Sequence, residues 1–297
     1  MKVGFIGLGS MGAPMAWNVR DAGYGLCVYN RTRDKTKPFA EEGVEVAKTP
    51  AELSETSDVV VTMVTDGDAL IDVLRSDEGA LAPEVEPTVF VNMSTISHDA
   101  TIEAASLIED EGAEFVDSPV SGTVGPAEEG TLTVLASGDE DTVDEYRPLL
   151  SAMGDPVVYC GDIGQGTNMK LTINLLLGDM MQAFSEALVF GEKKGLDTDD
   201  VFEVIESSPL SSTLYDIKGD MIRQDDFEPR FSVDLLFKDL SLALEAAGDD
   251  GLPLPATAAS REALNAVRGL GHGDEDMAAA VKGLEETAGV RVRDDDD

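Results

Sequence analysis

Three glycines near the amino terminus have the spacing of a phosphate-binding loop. The loop consists of Gly7, Leu8, Gly9, Ser10, Met11 and Gly12. It follows an apolar run at residues 2–6 and precedes a helical pattern. In that setting the first glycine permits a tight turn, the second lets the backbone approach a pyrophosphate, and the third lets the helix pack closely on the strand. The helix amino terminus adds unpaired N–H groups and the positive end of its dipole. The segment therefore predicts a dinucleotide-binding loop.

The residues after the second apolar run indicate which dinucleotide binds. Asn30, Arg31 and Thr32 follow the run at residues 25–29, where NAD enzymes carry an acidic residue for the ribose 2′-hydroxyl. No carboxylate stands at this strand end, and the planar guanidinium of Arg31 matches a phosphate. The pattern favours NADP over NAD. NAD stays possible, and an ordinary surface arginine is the alternative interpretation.

Two later segments carry polar groups that could act on a substrate. Ser121, Gly122 and Thr123 follow an apolar run ending at residue 116, and they can offer a hydroxyl and backbone N–H groups to a small carboxylate. Lys170 and Asn174 are four residues apart in a long helical pattern, so they share one helix face. A lysine in an apolar helix is costly unless it is exposed or used. From the residues alone, Lys170 is either a lysine whose side chain reaches solvent or a catalytic acid.

The order of the predicted elements indicates an α/β domain followed by an all-helical one. Apolar runs typical of strands lie at residues 2–6, 25–29, 59–64, 88–92, 114–116, 131–136 and 157–159, with helical patterns between them. This alternation predicts a mostly parallel, doubly wound sheet with helices on both faces. A long helix is predicted at residues 167–194, and further helices at 198–207, 213–224, 233–247, 254–270 and 275–286. We therefore expect domains at residues 1–163 and 164–297, joined by the long helix.

The charge of the chain limits its partners. Of 297 residues, 59 are acidic and 21 basic, for a formal net charge of −38. Apolar residues still recur with strand and helix periods, which excludes a disordered chain. We interpret the acidic surplus as a solvated surface adapted to a cytosol of high salt, where charge repulsion is screened. Such a surface makes nucleic acids and anionic membranes poor partners.

Other residue types limit cofactors and location. Cys27 and Cys160 lie in apolar, strand-like runs, so we expect buried free thiols. Two histidines and the lack of a C-x-x-C motif predict no metal site. No run approaches the roughly 18 apolar residues of a membrane span, and glycines interrupt the amino-terminal stretch that imitates a signal peptide. We expect a cytoplasmic protein without a membrane partner.

These motifs together resemble the β-hydroxyacid dehydrogenase family, which includes 3-hydroxyisobutyrate dehydrogenases and glyoxylate/succinic semialdehyde reductases. The resemblance extends over nearly the whole chain and rests on four segments in order. They are the glycine loop at residues 7–12, Ser121-Gly122, the G-x-G-x-x-x-K-x-x-x-N pattern at residues 164–174, and Lys238-Asp239-Leu240. It implies an NAD(P)-binding Rossmann domain and a helical substrate and dimerisation domain, with the active site between them. It also implies a lysine that acts as acid and base in hydride transfer.

The same resemblance implies roles for individual residues. The residues implied in catalysis are Lys170, Asn174 and Ser121. Substrate binding is implied for Ser121, Gly122, Thr123, Asn174, Phe231 and Asp239. Cofactor contacts are implied for the six loop residues, Asn30, Arg31, Thr32, Met63, Val64, Thr95 and Lys238. The expected ligands are NADP and a small hydroxy acid or semialdehyde, and the long apolar faces of the helical domain predict a homo-oligomer.

Several identities remain open within this interpretation. The leading one is an NADP-preferring enzyme that interconverts a 3-hydroxyisobutyrate-type acid and its semialdehyde. Many such dehydrogenases carry Ser-Gly-Gly in the substrate loop, whereas position 123 here is threonine. This departure favours the alternative of a glyoxylate/succinic semialdehyde reductase. An alternative of another class is a catalytically silent, cofactor-binding interaction module.

Overall fold

The computed structural model describes residues 1–82 and 89–292 and contains two compact units, Met1–Leu171 and Thr172–Asp297. The first unit is built on a sheet and the second is helical. This order confirms the predicted fold class. The domain limits 1–163 and 164–297 remain a prediction. Residue 88 of a predicted strand lies outside the described residues, as do residues 294–297, for which the sequence predicts a frayed acidic tail.

The sheet of the first unit is mostly parallel. Its strands are β1 (Lys2–Ile6), β2 (Gly25–Tyr29), β3 (Glu45–Val46), β4 (Val59–Thr62), β5 (Val89–Asn92), β6 (Glu114–Asp117), β7 (Val120–Ser121), β8 (Thr133–Ser137) and β9 (Val157–Gly161). Their order is β3-β2-β1-β4-β5-β6-β8-β7, and β9 pairs with β8. Only the β6–β8 and β7–β8 pairs are antiparallel among the described strands. Strands β2 and β3 are added on one side of β1 and β4 and β5 on the other, so the glycine loop that follows β1 lies at a switch point of the sheet.

Helices of the first unit cover both faces of this sheet. They are α1 (Gly12–Asp21), α2 (Lys37–Glu41), α3 (Pro50–Glu55), α4 (Gly67–Arg75), α5 (His98–Asp110), α6 (Val124–Glu129), α7 (Glu140–Met153) and the start of α8 (Gln165–Lys193). Alternate residues of β4 point into different cores, since Val59 and Val61 pack in one buried cluster and Val60 in the other. Met15 of α1 joins the first cluster and Ile108 of α5 the second. The two apolar layers explain the continuous apolar runs of the strands.

The second unit contains α9 (Thr198–Glu206), α10 (Thr213–Arg223), α11 (Val233–Asp249), α12 (Pro255–Gly269) and α13 (Ala280–Ala288), together with most of α8. Its buried core includes Phe184 and Phe202, whose rings meet edge to face at 5.9 Å. The helix predicted from residue 275 differs at its start. Asp276 accepts a hydrogen bond from the Ala278 N–H, a short 3₁₀ turn follows, and α13 begins at Ala280.

Helix α8 is the one helix in residues 1–82 and 89–292 that is long and apolar enough to cross a membrane. Length and composition alone are weak support for a span, since core helices of water-soluble proteins have the same properties. Met181, Phe184 and Leu188 of α8 are buried in the core of the second unit. These contacts account for the apolar character of this half of the helix.

The two cysteines are free thiols, as predicted, but they differ in exposure. Cys27 is buried on β2, which has a strand on each side, β1 and β3. Cys160 is only half-buried, so the prediction that both thiols are buried was wrong for this residue. The cause is the position of β9, which pairs only with β8 among the described strands. Burial raises the pKa of both thiols, which makes the reactive thiolate scarce at neutral pH.

Candidate dinucleotide and substrate site

The glycine loop needs its glycines for steric reasons. Gly7 has φ +100°, and a Cβ there would lie 2.1 Å from the Met63 carbonyl oxygen. A Cβ on Gly12 would lie 2.0 Å from the Gly7 carbonyl oxygen, so α1 starts in direct backbone contact with the loop. Gly9 differs, because a Cβ at this position would meet no protein atom within 4 Å. The space beside Gly9 is empty, so a pyrophosphate could approach the backbone there. The loop therefore fits a dinucleotide.

Asn30 holds the loop to the end of β2. Its side-chain oxygen accepts the Leu8 N–H at 2.8 Å, and its amide nitrogen donates to the Thr32 carbonyl at 2.9 Å. The Gly7 N–H donates to the Tyr29 carbonyl at 3.0 Å. Asn30 therefore braces the loop from the position where many dinucleotide enzymes place an acidic residue.

A cavity of about 270 Å³ opens beside the loop. It is lined by the expected residues Gly7, Gly9, Asn30, Arg31, Thr32, Met63 and Val64, and by Ile6, Tyr29, Lys35, Pro50, Thr65, Ala69, Asp72, Val73, Ser76 and Glu78. The structure thus brings seven predicted cofactor residues to one cavity. Leu8, Ser10, Met11 and Gly12 form the turn and the start of α1. Thr95 lies in the loop after β5, and Lys238 lies in α11 of the second unit.

Lys35 is a cavity residue that the sequence reasoning missed. It lies in a 3₁₀ turn (Arg33–Thr36) that directly follows Thr32. Arg31 and Lys35 bring two cations to this wall, while Asp72 and Glu78 bring two carboxylates to the lining. A further basic residue four positions after Arg31 was the available signal. Its use could not be read from spacing alone, because the turn decides whether the side chain lies at the cavity.

A buried polar network holds the wall formed by Met63 and Val64. The Thr62 hydroxyl donates to the Asn92 side-chain oxygen at 3.0 Å, and the Ser94 N–H donates to the same oxygen at 3.2 Å. The Ser94 hydroxyl in turn accepts the Val64 N–H at 2.8 Å. Thr62, Asn92 and Ser94 are all buried. The ends of β4 and β5 are therefore tied together where the cofactor wall begins.

The predicted substrate loop lies between β6 and α6. Ser121 ends β7 and pairs with Thr133 of β8, and its side chain is half-buried. Gly122 has φ +142°, and a Cβ there would lie 2.6 Å from a Leu132 methyl group. Only glycine fits this conformation without a shift of its neighbours. Thr123 precedes the first turn of α6. The strand pairing and the glycine conformation together give the loop a defined backbone.

The start of α8 carries Lys170, whose residue exposure is 7%. The helix begins against the ends of β6 and β8. Thr167 donates its N–H and its hydroxyl to the two carboxylate oxygens of Asp117, at 2.8 and 2.9 Å. The Gly166 N–H donates to the Ser137 hydroxyl at 2.9 Å. Burial raises the pKa of Asp117 to about 6, although its hydrogen bonds act in the opposite direction.

Asp117 was not among the predicted site residues. It is fully buried and comes directly before the segment Ser118-Pro119-Val120-Ser121-Gly122. An acidic residue at the end of an apolar strand was the available signal. Its partners are 20 and 50 residues further along the chain, so spacing could not reveal them.

The second unit brings together three of its four predicted site residues. The Asn174 amide donates to an Asp239 carboxylate oxygen at 2.5 Å, and both residues are buried. The Lys238 ammonium lies 2.9 Å from the other oxygen of Asp239. Phe231 is half-buried and linked to a different carboxylate, since its N–H donates to Asp276 at 3.1 Å. The roles predicted for these residues stay predictions.

Histidine, cysteine and acidic side chains form no group of three suited to a metal ion in the described ranges 1–82 and 89–292. The arrangement around the glycine loop suits an organic cofactor instead. Its backbone N–H groups, the braced turn and the basic side chains of Arg31 and Lys35 can hold phosphates.

The parallel sheet, the glycine loop at its switch point and the adjoining cavity define a dinucleotide-binding oxidoreductase fold. Residues 2–161 match the family described as the NAD binding domain of 6-phosphogluconate dehydrogenase. Residues 164–284 match the family described as the NAD-binding domain of NADP-dependent 3-hydroxyisobutyrate dehydrogenase. The chain belongs to the β-hydroxyacid dehydrogenase family of NAD(P)-dependent oxidoreductases.

Three relatives illustrate the similarity. Glyoxylate/succinic semialdehyde reductase 1 of Arabidopsis thaliana is 34% identical over 96% of this chain and 98% of its own length. 2-(Hydroxymethyl)glutarate dehydrogenase of Eubacterium barkeri is 35% identical, with 98% and 97% covered. The solved structure of Mycobacterium tuberculosis 3-hydroxyisobutyrate dehydrogenase with L-serine is 31% identical and has a TM-score of 0.85, with 95% and 98% covered. These matches confirm the family resemblance, while the source of the chain and its salt adaptation stay predictions.

Proposed function

We propose that the protein is an NADP-preferring enzyme that interconverts a small 3-hydroxy acid of the 3-hydroxyisobutyrate type and its semialdehyde. The observation that carries this proposal is the burial of Lys170 at the start of α8, in a chain whose first unit has a dinucleotide cavity. A buried amine can transfer a proton to a carbonyl oxygen, which is the role that the family resemblance implies for Lys170. The family membership of the chain supports the reaction class.

In the proposed reaction a bound NADPH would supply the hydride to the carbonyl carbon. Lys170 gives a proton to the carbonyl oxygen, so that the aldehyde becomes an alcohol; in the oxidative direction Lys170 takes the hydroxyl proton. Ser121, with the backbone of Gly122 and Thr123, holds the substrate carboxylate. Asn174 lies one helical turn after Lys170 and positions substrate, and its amide is fixed by Asp239.

Replacement of Lys170 tests the chemical step. Lys170→Ala should lower kcat about 100- to 10,000-fold, the usual contribution of general acid catalysis, with unchanged NADPH affinity. Lys170→Arg should also be impaired, because a guanidinium keeps its proton at all working pH values. Lys193→Ala, near the other end of α8, is the matched control and should keep normal kcat. Near-normal turnover of Lys170→Ala would refute the mechanism.

The preference for NADP is proposed from the cavity wall. Arg31 and Lys35 line the cavity, and no acidic residue stands at the end of β2. Arg31→Ala and Lys35→Ala should each raise the Kd for NADPH about 10-fold or more and leave the Kd for NADH nearly unchanged. Lys37→Ala is the control, since Lys37 is an exposed neighbour that pairs with Asp34. A clear preference of the unaltered enzyme for NADH would contradict the assignment.

A second candidate is a glyoxylate/succinic semialdehyde reductase. Thr123 in place of a second glycine favours it, as does the name of the Arabidopsis relative. An NADPH oxidation assay in high salt with glyoxylate, succinic semialdehyde, methylmalonate semialdehyde and tartronate semialdehyde separates the candidates. The leading proposal expects the highest kcat/KM for methylmalonate semialdehyde. Tight NADPH binding without turnover on any of the four would instead favour a silent module.

We also propose that the protein works as a cytoplasmic homo-oligomer with a salt-adapted surface. Met169, Ile173 and Leu176 repeat at helical spacing on α8 and are each more than a third exposed, which supports an apolar contact face. The net charge of −38 supports the need for screening salt. Light scattering at high salt tests the first point, and unfolding on dilution of salt tests the second. A stable monomer in dilute buffer would contradict both.

A further inference from the structure

The carboxylate of Asp117 connects two segments of the first unit that carry proposed site residues. Asp117 is the last residue of β6, so its backbone leads directly into the loop at residues 118–123. Its side chain reaches the first turn of α8, where Lys170 follows Thr167 by three residues. One buried residue thus fixes the beginning of the substrate loop and the beginning of the helix.

Both oxygens of the Asp117 carboxylate are engaged. Oδ2 accepts the Thr167 N–H at 2.8 Å and the Ser137 hydroxyl at 3.1 Å. Oδ1 accepts the Thr167 hydroxyl at 2.9 Å, and the Thr101 hydroxyl lies 3.0 Å from that hydroxyl. Ser137 also accepts the Gly166 N–H at 2.9 Å. Two N–H groups of the first turn of α8 therefore bind groups anchored on the sheet.

Close packing prevents α8 from moving toward the sheet. A Cβ on Gly166 would lie 2.4 Å from the Leu135 carbonyl oxygen and 2.8 Å from the Asp117 carbonyl oxygen. The helix backbone is thus already in contact with the strand ends. A carboxylate at the helix amino terminus also faces the positive end of the helix dipole. The hydrogen bonds resist withdrawal of the helix and the contacts resist its approach, so the first turn has one position.

We propose that Asp117 is a positioning residue that sets the place of the Lys170 ammonium relative to the substrate loop. The proposal rests on the proposed function, in which Lys170 is the acid and base. A misplacement of about 1 Å can lower a rate about 100-fold, so loss of this anchor affects turnover more than affinity. Asp117 acts through Thr167 and the helix backbone, and the reaction needs no proton from it.

A matched cap elsewhere in the first unit provides the control. Asp139 caps α7 and accepts both the N–H and the hydroxyl of Thr142, at 3.1 and 3.2 Å. The donor groups are the same as those that Thr167 gives to Asp117, but Asp139 is exposed and α7 carries no proposed site residue. An effect common to loss of any Asp–Thr helix cap would appear in both variants, whereas a positioning effect would appear only at Asp117.

The test compares Asp117→Asn with Asp139→Asn in the full-length protein. Asp117→Asn should lower kcat about 10- to 100-fold and change the KM values for NADPH and aldehyde less than twofold. Hydrogen exchange in the peptide at residues 163–172 should become faster in the same variant. Asp139→Asn should keep kcat within twofold and speed exchange only at the start of α7. Thr167→Ser, which keeps the hydroxyl, should behave as the unaltered protein.

Three results would overturn the proposal. Unchanged kcat in Asp117→Asn together with faster exchange would make the carboxylate a structural cap only. An equal loss of kcat in Asp139→Asn would show a general stability effect.

If Asp117→Asn does not fold, Thr167→Val takes its place in the test. This variant removes one donor to the Asp117 carboxylate and should lower kcat severalfold. Near-normal kcat in Lys170→Ala would refute the proposed function and this proposal together, which separates that failure from the others.

Discussion

Two fully buried carboxylates organise the two units in different ways. In the sheet unit Asp117 is held by neutral donors, namely an N–H and the hydroxyls of Thr167 and Ser137. In the helical unit Asp276 pairs with Lys218, with 2.7 Å between nitrogen and oxygen. Asp276 also accepts the N–H groups of residues 230, 231 and 278 at 3.0–3.1 Å. Each carboxylate fixes a backbone segment next to proposed site residues.

The difference shows how burial acts on a charge with and without a directly bonded counter-charge. At Asp117 desolvation is the largest influence, and it raises the pKa from the ordinary 3.8 to about 6 despite the hydrogen bonds. At Lys218 desolvation also dominates and lowers the pKa, while Asp276 acts against it. Neutral donors offset only part of the cost of a buried charge. The ion pair keeps its charges balanced, but each partner depends on the other.

The largest expected effect comes from giving Asp276 of the helical unit the kind of environment that Asp117 has in the sheet unit. Lys218→Met removes the counter-charge and leaves Asp276 with neutral N–H donors, as at Asp117. We expect a loss of about 3–5 kcal/mol in the free energy of unfolding at pH 8, because a buried charge becomes unpaired. Urea unfolding at pH 8 measures this, and a loss below about 1 kcal/mol would show that the N–H donors suffice.

The second effect concerns the pH dependence that Asp117 confers. Its folded pKa is above its unfolded pKa, so its favourable contribution is complete below pH 3.8 and is lost as the pH rises to about 6. Asn does not titrate, so Asp117→Asn should gain stability relative to the unaltered protein over this window. The gain corresponds to about 3 kcal/mol. Denaturation of both proteins between pH 4 and pH 8 measures it, with Asp139→Asn as control, and a constant difference would contradict the shift.

The smallest effect comes from weakening the neutral donor set. Ser137→Ala removes one donor to Asp117 and leaves the Gly166 N–H without its acceptor. We expect a loss of about 1–2 kcal/mol and a further rise of the pKa of Asp117, since the lost hydrogen bond favours the charged form. The pH window of the previous experiment should then extend above 6. A window that stays fixed would mean that Ser137 does not share in holding the charge.

The sequence predicted the elements whose causes are local. Gly7 and Gly12 have spacing that reflects steric limits of a single turn, and the structure shows those limits directly. The apolar runs of β1, β2 and β4 were found because strands buried on both faces need apolar residues throughout. The two-residue strands β3 and β7 were missed, since so few residues leave no periodic pattern.

The site was predicted in the same uneven way. Arg31 was found from its distance to the glycine loop, whereas Lys35 needed the 3₁₀ turn that brings it to the cavity. The exposure of Cys160 depended on β9 having one neighbour among the described strands, a property of sheet order that its own residues do not encode. The roles of Lys170 and Ser121 came from the family resemblance and await the kinetic tests.

Residue types and their spacing along the chain were enough to predict the dinucleotide loop, the order of strands and helices along the chain, and the family. Only the tertiary structure decided which groups the buried polar side chains bind. Asp117 meets Thr167 across 50 positions of chain, and Lys218 meets Asp276 across 58. A buried charge must find its donors wherever the packed chain brings them, because water is not there to supply them. Such pairings follow from three-dimensional packing, and no spacing in the sequence predicts them.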